Sequence, residues 1–145
     1  MNKKLQSTIK FSFLFLLGGS IYYCLEIFAR GHSHYSMFFA GGLSLAFIDF
    51  ICNNCSIFKN KKIFIKAIIG GLIITSIELI IGVVFNMIFK MNVWDYSSVP
   101  LNLLGQICLP FTALWIILSF PALLICNLME RIFKYPIFKN NKPKI

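Results

Sequence analysis

The chain has 145 residues, 58% of them hydrophobic and 13% charged, with a mean hydropathy of +0.78. A soluble domain of this length has too little interior to hide so much apolar surface, so composition excludes an ordinary water-soluble globule and points to one compact membrane domain, residues 1–145, with the lipid bilayer as its first partner. The net charge of +9 falls in short clusters between apolar runs, with none of the motifs of nucleic-acid-binding proteins, so no nucleic-acid partner is expected.

Four apolar segments follow in chain order: about 8–28, TIKFSFLFLLGGSIYYCLEIF; about 37–52, MFFAGGLSLAFIDFIC; about 63–89, IFIKAIIGGLIITSIELIIGVVFNMIF; and about 103–128, ending in LWIILSFPALLICNL. A spanning helix takes roughly 20 apolar residues. The second segment is short for this, which predicts little tilt or a locally thinned bilayer. Backbone in lipid must satisfy its own hydrogen bonds, so each segment is read as a helix and the fold as an all-α, polytopic bundle of four transmembrane helices. Twelve of the fourteen Lys and Arg residues would lie at one end: Lys3, Lys4 and Lys10 before the first helix, Lys59, Lys61, Lys62 and Lys66 around the 2–3 connection, and Arg131, Lys134, Lys139, Lys142 and Lys144 in a basic tail over 130–145. Only Arg30 and Lys90 fall at the other end. The positive-inside rule then predicts a multi-pass cell-membrane protein with both termini cytoplasmic. A cleaved signal peptide is the rival for the N-terminus, but no small-residue cleavage site follows the apolar run and Glu26 interrupts the place for one.

GGSIYYCLE, Gly18 to Glu26, and GGLIITSIE, Gly70 to Glu78, share a Gly-Gly pair and a Glu at the same spacing. Two helical hairpins duplicated about an axis along the membrane normal would produce this, and so would chance. The Gly pairs, with Gly41-Gly42 in the second segment, also offer close-packing points.

Three carboxylates fall inside the segments: Glu26, Asp49 and Glu78. An ionised carboxylate at mid-bilayer is costly, so Glu78 must face the bundle interior or carry a proton. It reads either as a substrate, proton or cation site or as a neutral hydrogen bond between helices. Glu26 and Arg30 stand i, i+4 and share a helix face. They form an interfacial ion pair, or Arg30 grips a carboxylate, phosphate or lipid headgroup with its planar fork. His32 and His34 supply two metal ligands at most, and Glu26, Asp95 or Cys108 would have to complete a set, so interfacial hydrogen bonding is expected and no metal. Cys52-Asn-Asn-Cys55 has neither a second pair nor a βαβ setting, so these thiols read as packing groups, and a reducing cytoplasm argues against a bridge. Pro110 and Pro121 remove backbone donors in the fourth helix and can kink it.

In the connection Val93 to Cys108, Trp94 and Tyr96 suit an interfacial aromatic belt, with Asp95 between them. Ser97, Ser98 and Pro100 suggest a turn, and Asn102, Gly105 and Gln106 bring polar groups to the fourth helix. A short re-entrant or interfacial segment fits, since such backbone survives only against protein or a wet cavity. It shares an end with Glu26, Arg30 and the two His. Glu26, Arg30, His32, Glu78, Trp94, Asp95, Tyr96 and Asn102 are therefore the candidate substrate-binding residues, with Glu78 below the others. The chain has no Walker loop, so it does not power itself with ATP, and neither G-x-S-x-G nor H-E-x-x-H is present. No catalytic residue and no cofactor is expected.

Tyr22, Glu26, Arg30-Gly31, Gly41-Gly42, Ser76, Glu78, Trp94-Asp95-Tyr96-Ser97, Asn102 and Gly105-Gln106-Ile107-Cys108-Leu109 form a pattern. It resembles that of bacterial integral membrane proteins of ABC-transporter type IV, also named ABC transporter permeases, over roughly 21–118. The family pattern carries Asn before Arg-Gly and a Gly-Pro soon after, where this chain has Ala29 and His32-Ser33-His34. The resemblance implies a permease-like, transport-related subunit, for which a separate ATP-binding subunit would dock on the basic 2–3 connection or the tail. Two other classes stay open: a non-transport scaffold, immunity or lipid-interacting protein, and an intramembrane enzyme acting on a lipid-linked substrate. The sequence also admits a homo-oligomer.

Overall fold

Long runs of Ile, Leu and Phe in lipid must close their backbone hydrogen bonds locally, and the chain does so in four long helices. Its structure, a computed structural model, describes residues 3–134, so Lys139, Lys142 and Lys144 lie outside the described residues. The helices are α1 (Lys3–Arg30), α2 (Tyr35–Asp49), the single turn α3 (Ser56–Lys59), α4 (Ile63–Gly82) and α5 (Leu109–Lys134). Wider π turns, Phe50–Asn54 and Val83–Ile88, extend α2 and α4. The strands among the described residues are β1 (Asn102–Leu103) and β2 (Ile107–Cys108), an antiparallel pair with Asn102 opposite Cys108. The stretches Lys4–Arg30, Tyr35–Asn54, Ile63–Ile88 and Leu109–Phe133 are each long and apolar enough to cross a bilayer. The chain is an all-α, four-span membrane protein.

Three segments differ from their expected bounds, the first of them starting at Lys3 and not near 8. The π turn lengthens the second span to 20 residues, about 30 Å at the helical rise, so it needs no thinned bilayer. The fourth helix starts at Leu109 and not near 103, because Leu104 and Gly105 take left-handed φ values of 56° and 66° that no helix continues through. Residues 102–108 turn back as the β ladder instead. Pro110 then sits in the first turn of α5, where a missing N–H costs nothing. Pro121 lies inside α5.

α2 is the central helix: 61% of its apolar window is buried, against 17% for α1 and 22% for α5. It packs between α1 and α4, α5 packs on α4, and α1 and α5 barely touch. Leu14, Leu45, Ile48, Ile74 and Leu123 make the main core. Met37, Ala40, Ile81 and Trp94 make a second cluster towards the β ladder. Phe28, Phe64 and Ile117 point outward, where lipid replaces a protein core.

The Gly-Gly pairs set the closest helix approaches. A Cβ on Gly18 would stand 2.6 Å from the Gly41 carbonyl oxygen of α2, and one on Gly71 would stand 2.8 Å from the Ile116 backbone of α5. Each repeated pair thus packs on the second long helix of its own hairpin. Gly71→Leu should force α4 and α5 apart and cost about 1–3 kcal/mol by overpacking. Thermal unfolding in mild detergent reads this, with exposed Leu72→Ala as a control that should leave the melting point unchanged.

One end of the bundle holds the starts of α1 and α4 and the ends of α2 and α5. Here Lys10 is not a solvated flank residue. Because α1 begins at Lys3, Lys10 lies two turns in and is only 7% exposed. Its Nζ is 2.7 Å from Asp49 Oδ2 and 2.6 Å from Glu130 Oε2. Asn53 donates to Asp49 Oδ1 at 3.1 Å, and Asn54 to Asp49 Oδ2 at 3.4 Å. The π turn brings these two amides round to the carboxylate. The Cys52 thiol is buried nearby and donates weakly to the Lys66 carbonyl, while Cys55 is half-buried.

Candidate functional site

The site lies at the opposite end, where α1 runs out into Gly31 and the chain from Phe89 to Cys108 folds over α4 and α5. Four non-glycine residues of that loop, Lys90, Asn92, Leu101 and Leu104, have positive φ. Such conformations persist only when their surroundings impose them. Here side-chain amides do so. Asn86, carried on the π turn after α4, donates to the Trp94 carbonyl at 3.0 Å and to Gln106 Oε1 at 2.8 Å, and accepts from Val93 N at 2.6 Å. Asn102 donates to the Val99 carbonyl at 2.8 Å and the Ser97 carbonyl at 3.2 Å, and accepts from Gly105 N at 3.1 Å. Trp94 is buried and donates its Nε1–H to the Gln106 carbonyl at 2.9 Å. The loop is thus a plug held by its own side-chain amides, with Trp94, Gly105, Gln106 and Cys108 turned inward and most of its other residues exposed.

Between this plug, α1 and α5 lies a chamber of about 630 Å³. α1 contributes Tyr22, Glu26 and Arg30, the loop Trp94, Asp95 and Tyr96, and α5 Phe111 and Trp115. Arg30 donates to Glu26 Oε1 at 2.8 Å and to the Val93 carbonyl at 2.9 Å, tying α1 to the loop. Ser33 donates to the other Glu26 oxygen at 2.7 Å. Tyr96 stacks on Phe111 with ring centres 4.7 Å apart, and Tyr22 lies 5.5 Å from Trp115.

Glu78 does not line the chamber but stands behind its wall, 4% exposed, accepting from Tyr96 Oη at 3.0 Å and from Trp115 Nε1 at 2.9 Å. Burial first, and then the Glu78 charge, push the Tyr96 phenol well above its ordinary range, so Tyr96 is a standing donor. Asp95 is exposed at the mouth. The Ser97 hydroxyl and amide hold its carboxyl below the usual range, so it is ionised there.

Of the eight residues singled out in the sequence, Glu26, Arg30, Trp94, Asp95 and Tyr96 line one chamber and Glu78 backs it. The other two stand apart. His32 is exposed, its Nδ1 lying 3.1 Å from the Arg30 carbonyl, and Asn102 braces the loop. His34 caps α2, accepting from Ser36 N at 3.2 Å. Among the described residues no three His, Cys, Asp or Glu side chains gather in a way that would hold a metal ion. Sequence reasoning passed over Trp115 and Asn86, and named Tyr22 and Gln106 without giving them a place in the site. Tyr22 stood in the quoted pattern, but nothing in an apolar run marks Trp115 as a donor to a carboxylate 37 residues earlier.

Fold and geometry together define a class: a small four-span membrane protein with an aromatic-walled chamber, lined also by Glu26, Arg30 and Asp95, between its first and last long helices. The chain belongs to the family described as "Putative ABC-transporter type IV", whose model matches residues 9–142. No curated protein and no solved structure matches it.

Proposed function

We propose that this chain is a permease-like membrane subunit of a transport system, with the chamber as its polar receiving site near the outer face. The carrying observation is the chamber itself: about 630 Å³ bounded by an Arg30–Glu26 pair, the Asp95 carboxylate and five aromatic side chains. Concave sites with few polar groups among aromatic walls are the usual form of a small-ligand site. The family supports an ABC-transporter relation. The positive-inside rule supports the orientation, for Lys59, Lys61, Lys62 and Lys66 cluster at the end opposite the chamber. That end would be cytoplasmic, and the basic connection around α3 would meet a separate ATP-binding subunit.

The test is to purify the tagged chain from its native membrane in mild detergent and identify what accompanies it. An ATP-binding subunit at fixed stoichiometry is the expected result. Its reproducible absence would overturn ATP coupling. A scaffold reading also has an observation in its favour: both Glu78 oxygens are engaged by Tyr96 and Trp115, as in a purely structural tie.

A further inference from the structure

The chamber does not end at its floor. Tyr22, Leu25, Trp115 and Leu118 also line a second cavity of about 140 Å³, further along α1 and α5 from the loop. That inner cavity is walled almost wholly by carbon, from Gly18, Leu45, Ile48, Ile74, Ala122 and Ile125. The two cavities adjoin on the α1–α5 side of the bundle, where Tyr22 and Trp115 stand between them with ring centres 5.5 Å apart. Together they make a slot that is charged at the loop end and apolar below it. That polarity profile is the profile of a lipid.

The charges at the mouth select the headgroup. Arg30 and Glu26 compensate each other at 2.8 Å, which leaves Asp95 as the unbalanced charge of the lining. An anionic headgroup would meet a mouth of its own sign. A zwitterionic one would not. Arg30 spends one N–H on Glu26 and one on the Val93 carbonyl, and a guanidinium has five. The remaining donors suit a phosphate. The Asp95 carboxylate and the stacked Tyr96 and Phe111 rings line the same chamber and suit an ammonium carried beyond that phosphate.

We propose that the α1–α5 slot binds a zwitterionic phospholipid from the bilayer, with its phosphate on Arg30, its ammonium on Asp95 and the first part of one acyl chain against the apolar cavity. This rests on the chamber as the receiving site and names the class of molecule received. It does not depend on ATP coupling.

The test is lipid retention by the full chain in native mass spectrometry. The lipids are phosphatidylethanolamine and phosphatidylglycerol with identical acyl chains, with free phosphoethanolamine as the headgroup alone. The expected result is retention of the ethanolamine lipid over the glycerol lipid by about fivefold, the size of one partly solvated charge pair. Asp95→Asn keeps the acceptor for Ser97 N and should bring that ratio to about one. Arg30→Gln should weaken retention of both lipids, with Arg30→Lys restoring part of it. Ala122→Phe should reduce retention of the whole lipid and leave phosphoethanolamine unaffected. Equal or greater retention of the glycerol lipid, an unchanged ratio in Asp95→Asn, or phosphoethanolamine binding as strongly as the lipid would each overturn the proposal. Selective lipid retention without an ATP-binding partner would retire the coupled permease and keep the slot. A partner without lipid preference would do the reverse.

Discussion

Replacing Lys10 by Met is expected to destabilise the protein by about 3–5 kcal/mol, the loss typical when one partner of a buried ion pair is removed. The side chains of Lys10 and Asp49 are 9% and 4% exposed, and their atoms lie 2.7 Å apart. Without the ammonium, the Asp49 carboxylate keeps only the Asn53 and Asn54 amides as neutral donors. The isolated charge cannot reach water, so the state that contains it rises in energy. The double variant Lys10→Met with Asp49→Leu should recover part of the loss, since a hydrophobic replacement of a whole buried pair is often neutral while the buried Asn53 amide loses its acceptor. Unfolding in detergent with rising SDS measures both. Wild-type stability in Lys10→Met would mean that this lysine is solvated after all. The consequence reaches the site. Lys10 braces α1 to α2 and, through Glu130 at 2.6 Å, to α5. The α1–α5 seam is thereby closed at the basic end while it stays open at the loop end.

The second large effect is expected at Glu78, where two substitutions should part company. Glu78→Leu removes the acceptor of both Tyr96 Oη and Trp115 Nε1 and leaves two polar groups without partners, at about 2–4 kcal/mol for the pair. Glu78→Gln keeps an oxygen for the indole and offers an amide to the phenolic oxygen, so it should fold with near wild-type stability. Stability alone then tests the tie: equal losses in both variants would show that the carboxylate charge is itself required by the fold. Measured beside stability, transport separates the functions. A folded Glu78→Gln protein without flux fits a permease that senses the charge behind its chamber wall, and unchanged behaviour in every assay fits a scaffold.

Tyr96 connects this carboxylate to the chamber. Its hydroxyl reaches inward to Glu78 and its ring forms the wall with Phe111. Loss of the Glu78 contact should therefore loosen the plug that Asn86 and Asn102 otherwise hold.

The sequence by itself determined the number of spans, the single long basic-to-polar axis and the gathering of Glu26, Arg30, Trp94, Asp95 and Tyr96 at one end. A bilayer imposes span length and internal backbone bonding on each segment independently of its neighbours, and charged residues mark the ends of each segment, so these features are local. The start of α5 was not read correctly: the fourth helix was expected from about 103 with Pro110 inside it, because the left-handed Leu104 and the β ladder do not show in the apolar run. Only the tertiary structure decided which faces turn inward. In lipid a helix is apolar all round, so no stripe distinguishes a core side from a lipid side, and rotation follows from where glycines let backbones meet. That rotation joins Lys10 to Glu130 across 120 residues and Trp115 to Glu78 across 37.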